Sequence, residues 1–366
     1  MPQGFAPEDS TPYRYPWLRL LRLHHWLKNL LLAVPLLTAQ AWGRPASVLA
    51  TVAGILAFSL VASATYILND VADVAFDRAH AVKRRRPLAA GVIGTGAALG
   101  VAAVLVVAGV AVTVWVGFDF LAVLVAYGLL TTLYTRRLKR VALLDVLALA
   151  ALWTLRLAAG AAAIGVTLSG WLLSFGAFLF LSLSLVKRCA ELRAAAGPET
   201  ERLPGRGYER RDLGALQAFG IGTGVVSVLV LALFVDSAVA QLRYPHPERL
   251  WLVCPAIWFW LGRIWLETAR GDMHHDPIAF SLRDPPSWWA LATVAAGWAA
   301  ALVRYCWRAQ IRRCREAGFR FWCCCLASCW SPPTTGRSCR SAMPFQPTAP
   351  PTSTWPSRCV RSVVRS

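Results

Sequence analysis

A chain of 366 residues with 57% hydrophobic and 16% charged residues, and a mean hydropathy of +0.49, is too apolar for a soluble domain. It has the composition of a polytopic membrane protein built from helical spans. The net charge of +19 is unevenly spread: residues 304–366 carry +10 and the first 303 residues +9, and no nucleic-acid partner is expected.

Residues 1–16 form a polar leader, and no cleavable signal peptide is expected, because the first apolar run is long enough to span. A first helix comes next, with Arg19, Arg22 and Lys28 near its start and an apolar run from Leu30. Trp17, Trp26 and Trp42 suit interfacial anchors, whereas Lys28 and Asn29 lie deep enough to be either anchors or phosphate ligands. Further spans are expected near 47–68, 92–116, 118–134, 143–165, 169–186, 213–241, 249–268 and 287–303, nine in all. Loops after spans two, four, six and eight are long and basic. Those after one, three, five and seven are short, with Arg44, Arg243 and Arg249 as their few cations. That asymmetry predicts a multi-pass protein of the cell membrane, with the N-terminus and the four polar loops in the cytoplasm.

The richest of those loops is 69–91, NDVADVAFDRAHAVKRRRPLAAG. Asp70, Asp73 and Asp77 stand at i, i+3 and i+7, so a helix through them places three carboxylates on one face. Gathered at a membrane boundary they repel one another, and a divalent cation resolves the conflict. Hard oxygen donors without nearby Cys or His point to Mg²⁺, which characteristically bridges carboxylates to a substrate's phosphates. Lys83, Arg84, Arg85 and Arg86 come immediately after and suit a polyanionic ligand. A positive-inside loop with a solvated charge run is the alternative, and the spaced acids argue against it.

Three further constellations lie beyond this loop. Residues 134–140 hold Tyr134 and Lys139 in a basic run. Span five carries Asp145 near its start and Arg156 near its middle, three turns apart and too distant to touch. Arg156 is an anion-ligand candidate, with a structural pairing inside the bundle as the alternative. The end of span six holds Lys187, Arg188, Glu191 and Arg193; Lys187 and Glu191 also have the spacing of an ordinary surface ion pair. Arg206, Tyr208 and Arg210 come next, and the last polar loop contains Asp272, Asp276, Arg283 and Asp284. Adjacent His274 and His275 are weak evidence for zinc.

In residues 304–366, eleven Arg, eight of the ten Cys and clustered Pro and Ser occur without a helical period. A metal-binding tail, a disordered basic arm and a shifted reading frame over GC-rich codons compete. The third fits the composition best, and the tail is given no function.

The loop at Asn69, Asp70, Asp73 and Asp77 resembles the N-D-x-x-D-x-x-x-D signature of the UbiA-type superfamily of intramembrane prenyltransferases. Lys83 and Arg86-Pro87-Leu88 continue the likeness. Within the superfamily the chain is most similar to the decaprenyl-phosphate phosphoribosyltransferase branch, through WLKN at 26–29, the stretch with Tyr134 and Lys139, KRxxEL at 187–192 and IAFSLRD at 278–284. The likeness covers about residues 15–303. It departs from the aromatic-prenylating branches after span six, where a second Asp-rich motif is replaced by Lys187, Arg188 and Glu191.

This resemblance implies an all-α integral membrane protein, a nine-transmembrane-helix bundle around a cytoplasm-facing cavity. It implies Mg²⁺-dependent transfer of 5-phosphoribose from phosphoribosyl diphosphate to a polyprenyl phosphate. Asn69, Asp70, Asp73 and Asp77 would hold the metal. Lys83 and Arg86 would bind the donor's phosphates. Lys28, Tyr134, Lys139, Arg156, Lys187, Arg188 and Glu191 would line the substrates. Prenyl transfer from a polyprenyl diphosphate to a small aromatic acceptor is the runner-up. A transporter of phosphorylated solutes is the alternative of another class.

Overall fold

The computed structural model describes residues 15–79, 83–195, 205–273 and 277–303. The leader up to residue 14, the pair His274 and His275 with Asp276, and the tail 304–366 lie outside the described residues.

Among the described residues the fold is all-helical, with no β-strand. Seven helical segments are long and apolar enough to cross a membrane. They are α3 (Pro45–Ala72), α5 (Thr95–Val116), α6 (Phe118–Arg136), α7 (Leu144–Ala163), α8 (Gly170–Ala194), α9 (Leu213–Asp236) and α11 (Val253–Arg270). The last two begin with short 3-10 turns. Seven of the nine expected spans fall on these helices, and the other two fall on segments outside that set. One precedes α3 and consists of α1 (Pro16–Leu21), a 3-10 helix over Leu23–Ala33 and α2 (Val34–Thr38). The other is α13 (Pro285–Leu302), an 18-residue helix diluted by two prolines and three tryptophans. The remaining short helices are α4 (Val74–Ala79), α10 (Ala238–Arg243) and α12 (Pro277–Ser281).

The 3-10 stretch has a physical reason. At three residues per turn, Trp26, Asn29 and Leu32 fall on one line instead of drifting around the helix. That line faces α3 and α7. Trp26 Nε1 donates to Ser63 Oγ at 3.0 Å, Asn29 Nδ2 to Ser59 Oγ at 2.9 Å, and Leu32 is wholly buried. Backbones meet at Gly160 of α7, where an added Cβ would lie 2.1 Å from the Leu32 carbonyl oxygen.

Helix α7 is the centre of the bundle. Its most apolar stretch is 56% buried, against 22% for α5 and α6, whose Val and Leu faces are left for lipid. One side of α7 packs on α8, and through it joins a cluster that extends to α9 and α11 and includes Leu157, Phe180, Leu185 and Ile264. Another side meets α3 and α6 through Ala57, Phe58, Phe120 and Leu124. A third cluster seats Leu20, Leu88 and Ile93 against α3 and α5, tying the chain after the Asp motif back into the core. An apolar groove of about 310 Å³ lies between α9 and α11, floored by Gly224, Leu261 and Trp265.

The Gly160 contact predicts that Gly160→Val lowers the melting temperature in detergent, by overpacking worth about 1–3 kcal/mol. Gly128→Ala on α6, where an added Cβ meets nothing within 4 Å, should not lower it.

Candidate active site

The Asp motif straddles a helix break. Helix α3 ends at Ala72, and Asp73 leaves helical geometry slightly, at φ −96° and ψ 5°. The hydrogen-bond register nevertheless continues: Asp73 N–H donates to the Asn69 carbonyl and Asp77 N–H to the Asp73 carbonyl, both at 2.9 Å. The three carboxylates therefore keep the spacing their sequence positions imply.

Arginines complete the arrangement. Arg86 Nη1 lies 3.0 Å from Asp70 Oδ1 and 2.7 Å from Asp77 Oδ2, bridging the two acids. Arg22, from the turn after α1, donates Nη2 to the same Asp70 oxygen at 2.7 Å. Both carboxylates are buried, so unpaired they would carry a large desolvation cost. Arg86 is aimed by the residues on its C-terminal side. Pro87 accepts backbone bonds from Val92 and Ile93, and Leu88 is buried in the core beside α3. Arg78 Nε also grips the Ala89 carbonyl at 3.2 Å.

The structure does not gather Asn69, Asp70, Asp73 and Asp77 into a ready metal cage; among the described residues no group of three acids, His or Cys is close enough to hold an ion. A monovalent guanidinium stands between Asp70 and Asp77 instead. The donor chemistry still fits Mg²⁺, since all four side chains offer hard oxygens. Asp73 is half-buried, and neither it nor Asn69 has a side-chain partner among the described residues. Lys83 opens a 3-10 turn, Lys83–Arg85; its side chain lies outside what the structure describes.

A second charged cluster forms at the same end of the bundle. Asp145, in the first turn of α7, is fully buried, with Arg188 Nη2 at 2.7 Å and Arg206 Nη1 at 3.6 Å. Glu191 also pairs with Arg188, and lies 3.8 Å from Arg206. Arg206 Nη1 donates to the Tyr134 hydroxyl at 3.0 Å. Burial opposes the charge on Arg206, but Tyr134, Glu191 and Asp145 outweigh it and raise its pKa. Arg188 has no exposed surface, so it holds its neighbours in place and cannot reach a ligand directly as the structure stands. Asp145 Oδ1 and Arg188 Nε remain buried without a hydrogen bond.

Arg206 is delivered by a close backbone approach. At Gly207 an added Cβ would lie 2.6 Å from the Arg140 carbonyl oxygen. The next residue, Tyr208, accepts the Leu143 N–H on its hydroxyl at 2.8 Å, where Leu143 holds a left-handed φ of 65°. Burial, with Asp145 beside it, pushes the Tyr208 phenol up to about 12.

Other expected site residues are placed differently. Arg156 donates Nε to Asn29 Oδ1 at 3.0 Å, Nη1 to the Leu152 carbonyl and Nη2 to the Tyr127 hydroxyl. It is enclosed by the rings of Phe58, Tyr127 and Trp153 at 5.1–5.5 Å. These contacts make it a strut between the first segment, α6 and α7. Lys28 lies 5.3 Å above the Trp153 ring. Lys139 is half-buried and has no side-chain partner among the described residues. Lys187 sits half-buried on α8 beside Arg188.

A family model described as the UbiA prenyltransferase family matches residues 30–195. The nodulation protein NoeC of Azorhizobium caulinodans is 32% identical over 291 residues, covering 78% of this chain and 92% of that one. The chain belongs to the UbiA prenyltransferase family. This is a family of transferases. The uncharacterized protein y4nM of Sinorhizobium fredii is 39% identical to this UbiA-family chain over 299 residues, 81% of this chain and 58% of that one. Decaprenyl-phosphate phosphoribosyltransferase of Mycolicibacterium smegmatis is 36% identical over 182 residues, 49% of this chain and 57% of that one. The chain thus spans less than two thirds of the length of either. A UbiA homolog from Archaeoglobus fulgidus, solved with GPP and Mg²⁺, matches with a TM-score of 0.58 at 16% identity, over 78% of this chain and 100% of that one. That likeness is one of fold.

The sequence marked Arg22, Arg206 and Arg263 less clearly than the acids they serve. Arg22 resembled an interfacial cation, although its partner is 48 residues away. The glycine before Tyr208 was the available signal for Arg206. Arg263 makes a two-pronged pair with Asp284 at 2.8 and 2.7 Å, and Asp284 also caps α13 by accepting from Ser287 N–H at 3.0 Å. The Arg263 guanidinium, aided by Ser287, holds the Asp284 carboxyl down to about 2.

Because the folded state lowers this pKa, its stabilisation is complete above the ordinary value of 3.8 and is lost as pH falls toward 2. Asp284→Asn should therefore melt lower than the parent at neutral pH, by on the order of 1–2 kcal/mol. Thermal unfolding in detergent should show that gap closing between pH 4 and pH 2.

Proposed function

We propose that this UbiA-family chain transfers 5-phosphoribose from phosphoribosyl diphosphate to a polyprenyl phosphate, with release of pyrophosphate. The observation that carries this reading is the difference between the two charged clusters at one end of the bundle. The first has a carboxylate in reserve, Asp73, beside acids bridged by an arginine. The second has both its acids matched by guanidiniums, and Lys139, without a side-chain partner among the described residues, is carried on the neighbouring turn. Acids with hard oxygens suit a metal-bound diphosphate, and cations without a second carboxylate cage suit a bare phosphate. Phosphoribosyl diphosphate and a lipid phosphate present those two groups. Likeness to the decaprenyl-phosphate phosphoribosyltransferase of M. smegmatis supports the same assignment.

Magnesium held by Asp73, with Asp77, Asn69 and Asp70 as the nearest hard donors, would supply charge stabilisation at the leaving pyrophosphate. Arg86 releases Asp77 and, with Lys83, binds the donor's phosphates. Lys139, Lys187, Lys28 and the Tyr134–Arg206 pair divide between the 5-phosphate and the lipid phosphate. Arg188, Glu191 and Arg156 act as positioning residues. The bond from the anomeric carbon to pyrophosphate breaks with its electrons leaving on oxygen, and a lipid phosphate oxygen bonds to that carbon. The nucleophile is already an anion at neutral pH, so no general base is required.

In this reading the chain crosses the membrane nine times. From the rises of 3-10 and α-helices, the segment before α3 would reach roughly 38 Å, more than a core about 30 Å thick, and α13 about 27 Å, a shortfall of about 3 Å that local thinning of the bilayer absorbs. Both clusters then face the cytoplasm, on the side of the basic loops, in a cavity open laterally to lipid. The groove between α9 and α11 suits the isoprenoid chain.

Membranes carrying the protein, given labelled phosphoribosyl diphosphate and polyprenyl phosphate, should move label into lipid, and EDTA should stop it. Asp73→Ala should lower that transfer by about a hundredfold or more. Movement of label only from a polyprenyl diphosphate to a small aromatic acceptor would replace this reading with prenyl transfer. Uptake of the phosphorylated sugar without any transfer would favour a transporter.

A further inference from the structure

The end of the bundle opposite the Asp motif holds a polar cavity of about 450 Å³. Its walls come from the turn between α2 and α3, the turn between α7 and α8, and the end of α10. No Asp or Glu lines it, but Arg44 and Arg243 both do. Among the described residues the connections at this end of the bundle carry three arginines and no lysine, the third being Arg249 in the 3-10 turn before α11. Arg249 donates to the Ala300 carbonyl at 2.7 Å and so helps seat α13. Two of the three cations at this end thus converge on one cavity. Basic residues on this face oppose the charge bias that orients membrane proteins, so their placement calls for a separate cause.

Arg243 is held in position by a reciprocal clamp. Its Nη1 donates to the Thr38 carbonyl at 3.0 Å, and Gln40 Nε2 donates to the Arg243 carbonyl at 3.1 Å. Gln40 adopts a left-handed φ of 57° in making this turn. The Arg243 Nε and Nη2 groups have no acceptor among the described residues, and neither has any part of the Arg44 side chain. Helix α8 begins at the cavity wall, and its preceding residue, Ser169, does not cap it with its side chain. The free N–H groups of that first turn add positive potential to the two guanidiniums.

Apolar side chains flank this polar space. Leu37, Leu173 and Leu242 are exposed and adjoin the cavity residues Thr38, Leu172 and Arg243 in sequence. Trp42, from the same turn, packs edge-on to Trp298 of α13 at 5.5 Å, as an anchor at a membrane interface would. The volume exceeds what one phosphate needs and leaves space for a glycerol or sugar attached to it.

We propose that this cavity binds the phosphate headgroup of a membrane lipid in the leaflet opposite the Asp motif, with Arg44 and Arg243 as its cationic ligands. The assignment is independent of the transfer reaction.

The test uses the full chain in nanodiscs of phosphatidylcholine doped with phosphatidylglycerol, with co-purifying lipid measured by native mass spectrometry. Wild type should retain phosphatidylglycerol preferentially. Arg44→Gln should cut that enrichment about fivefold, the contribution of one cation near an anionic headgroup, and Arg44→Gln with Arg243→Gln should remove it. The Arg44 side chain makes no hydrogen bond or ion pair with a described residue, so the single variant should melt as wild type does, and its result stands even if the double variant misfolds. Equal enrichment in wild type and Arg44→Gln would overturn the site. In detergent without anionic lipid, inorganic phosphate and glycerol 3-phosphate would be titrated by tryptophan fluorescence. Saturable phosphate binding that Arg44→Gln abolishes, without lipid enrichment in nanodiscs, would reassign the cavity to a soluble anion and overturn the lipid assignment.

Discussion

The bridge from Arg86 to Asp70 and Asp77 is the contact on which the rest of this end of the molecule depends. Two buried carboxylates within reach of one another cannot both stay ionised without a cation between them. The chain supplies that cation from its own sequence, nine residues after Asp77, and fixes it by burying Leu88 and by the turn at Pro87. Arg22 adds a second hold on Asp70 from the N-terminal segment. Asp70 and Asp77 are therefore matched by the chain's own arginines, and Asp73, without a side-chain partner among the described residues, leaves the motif with an excess negative charge.

The second cluster obeys the same electrostatics with a different outcome. Asp145 and Glu191 are matched by Arg188 and Arg206, which leaves that patch balanced, while Lys139, without a side-chain partner among the described residues, sits on the turn beside it. Arg188 is wholly buried, so its charge acts by fixing Asp145 and Glu191. Arg206 is the partly exposed member and depends on Gly207, because any larger residue there would collide with the Arg140 backbone. The two clusters thus differ in sign and in readiness, which is the physical basis for assigning them to different phosphate-bearing groups.

Much of this was legible in the sequence. Apolar runs of helical length marked out the bundle, and the helical spacing of Asp70 and Asp77 agrees with their meeting on one Arg86 nitrogen, because both rest on fixed helical periods. The ionic partners were harder to see. Arg22 and Arg206 approach their acids from distant parts of the chain, and local periodicity is silent about such contacts. Arg156 illustrates the converse: its depth in a span suggested an anion ligand, yet Asn29, Tyr127 and three aromatic rings satisfy it internally. The 3-10 course of the first segment was also hidden, since it is set by Ser59, Ser63 and Gly160 on neighbouring helices and not by the segment's own composition.

If Arg86 occupies the acidic motif in competition with a metal ion, removing its charge must strengthen metal binding. Titration of the purified full chain with Mn²⁺ as a probe, without donor and followed by electron paramagnetic resonance, reads that competition directly. Arg86→Gln should bind Mn²⁺ at least about fivefold more tightly than wild type, since it removes a guanidinium that competes for two buried carboxylates, an ion pair worth about 1 kcal/mol even at a surface, and Asp73→Ala should bind it more weakly. Weaker Mn²⁺ binding by Arg86→Gln than by wild type would contradict the competition.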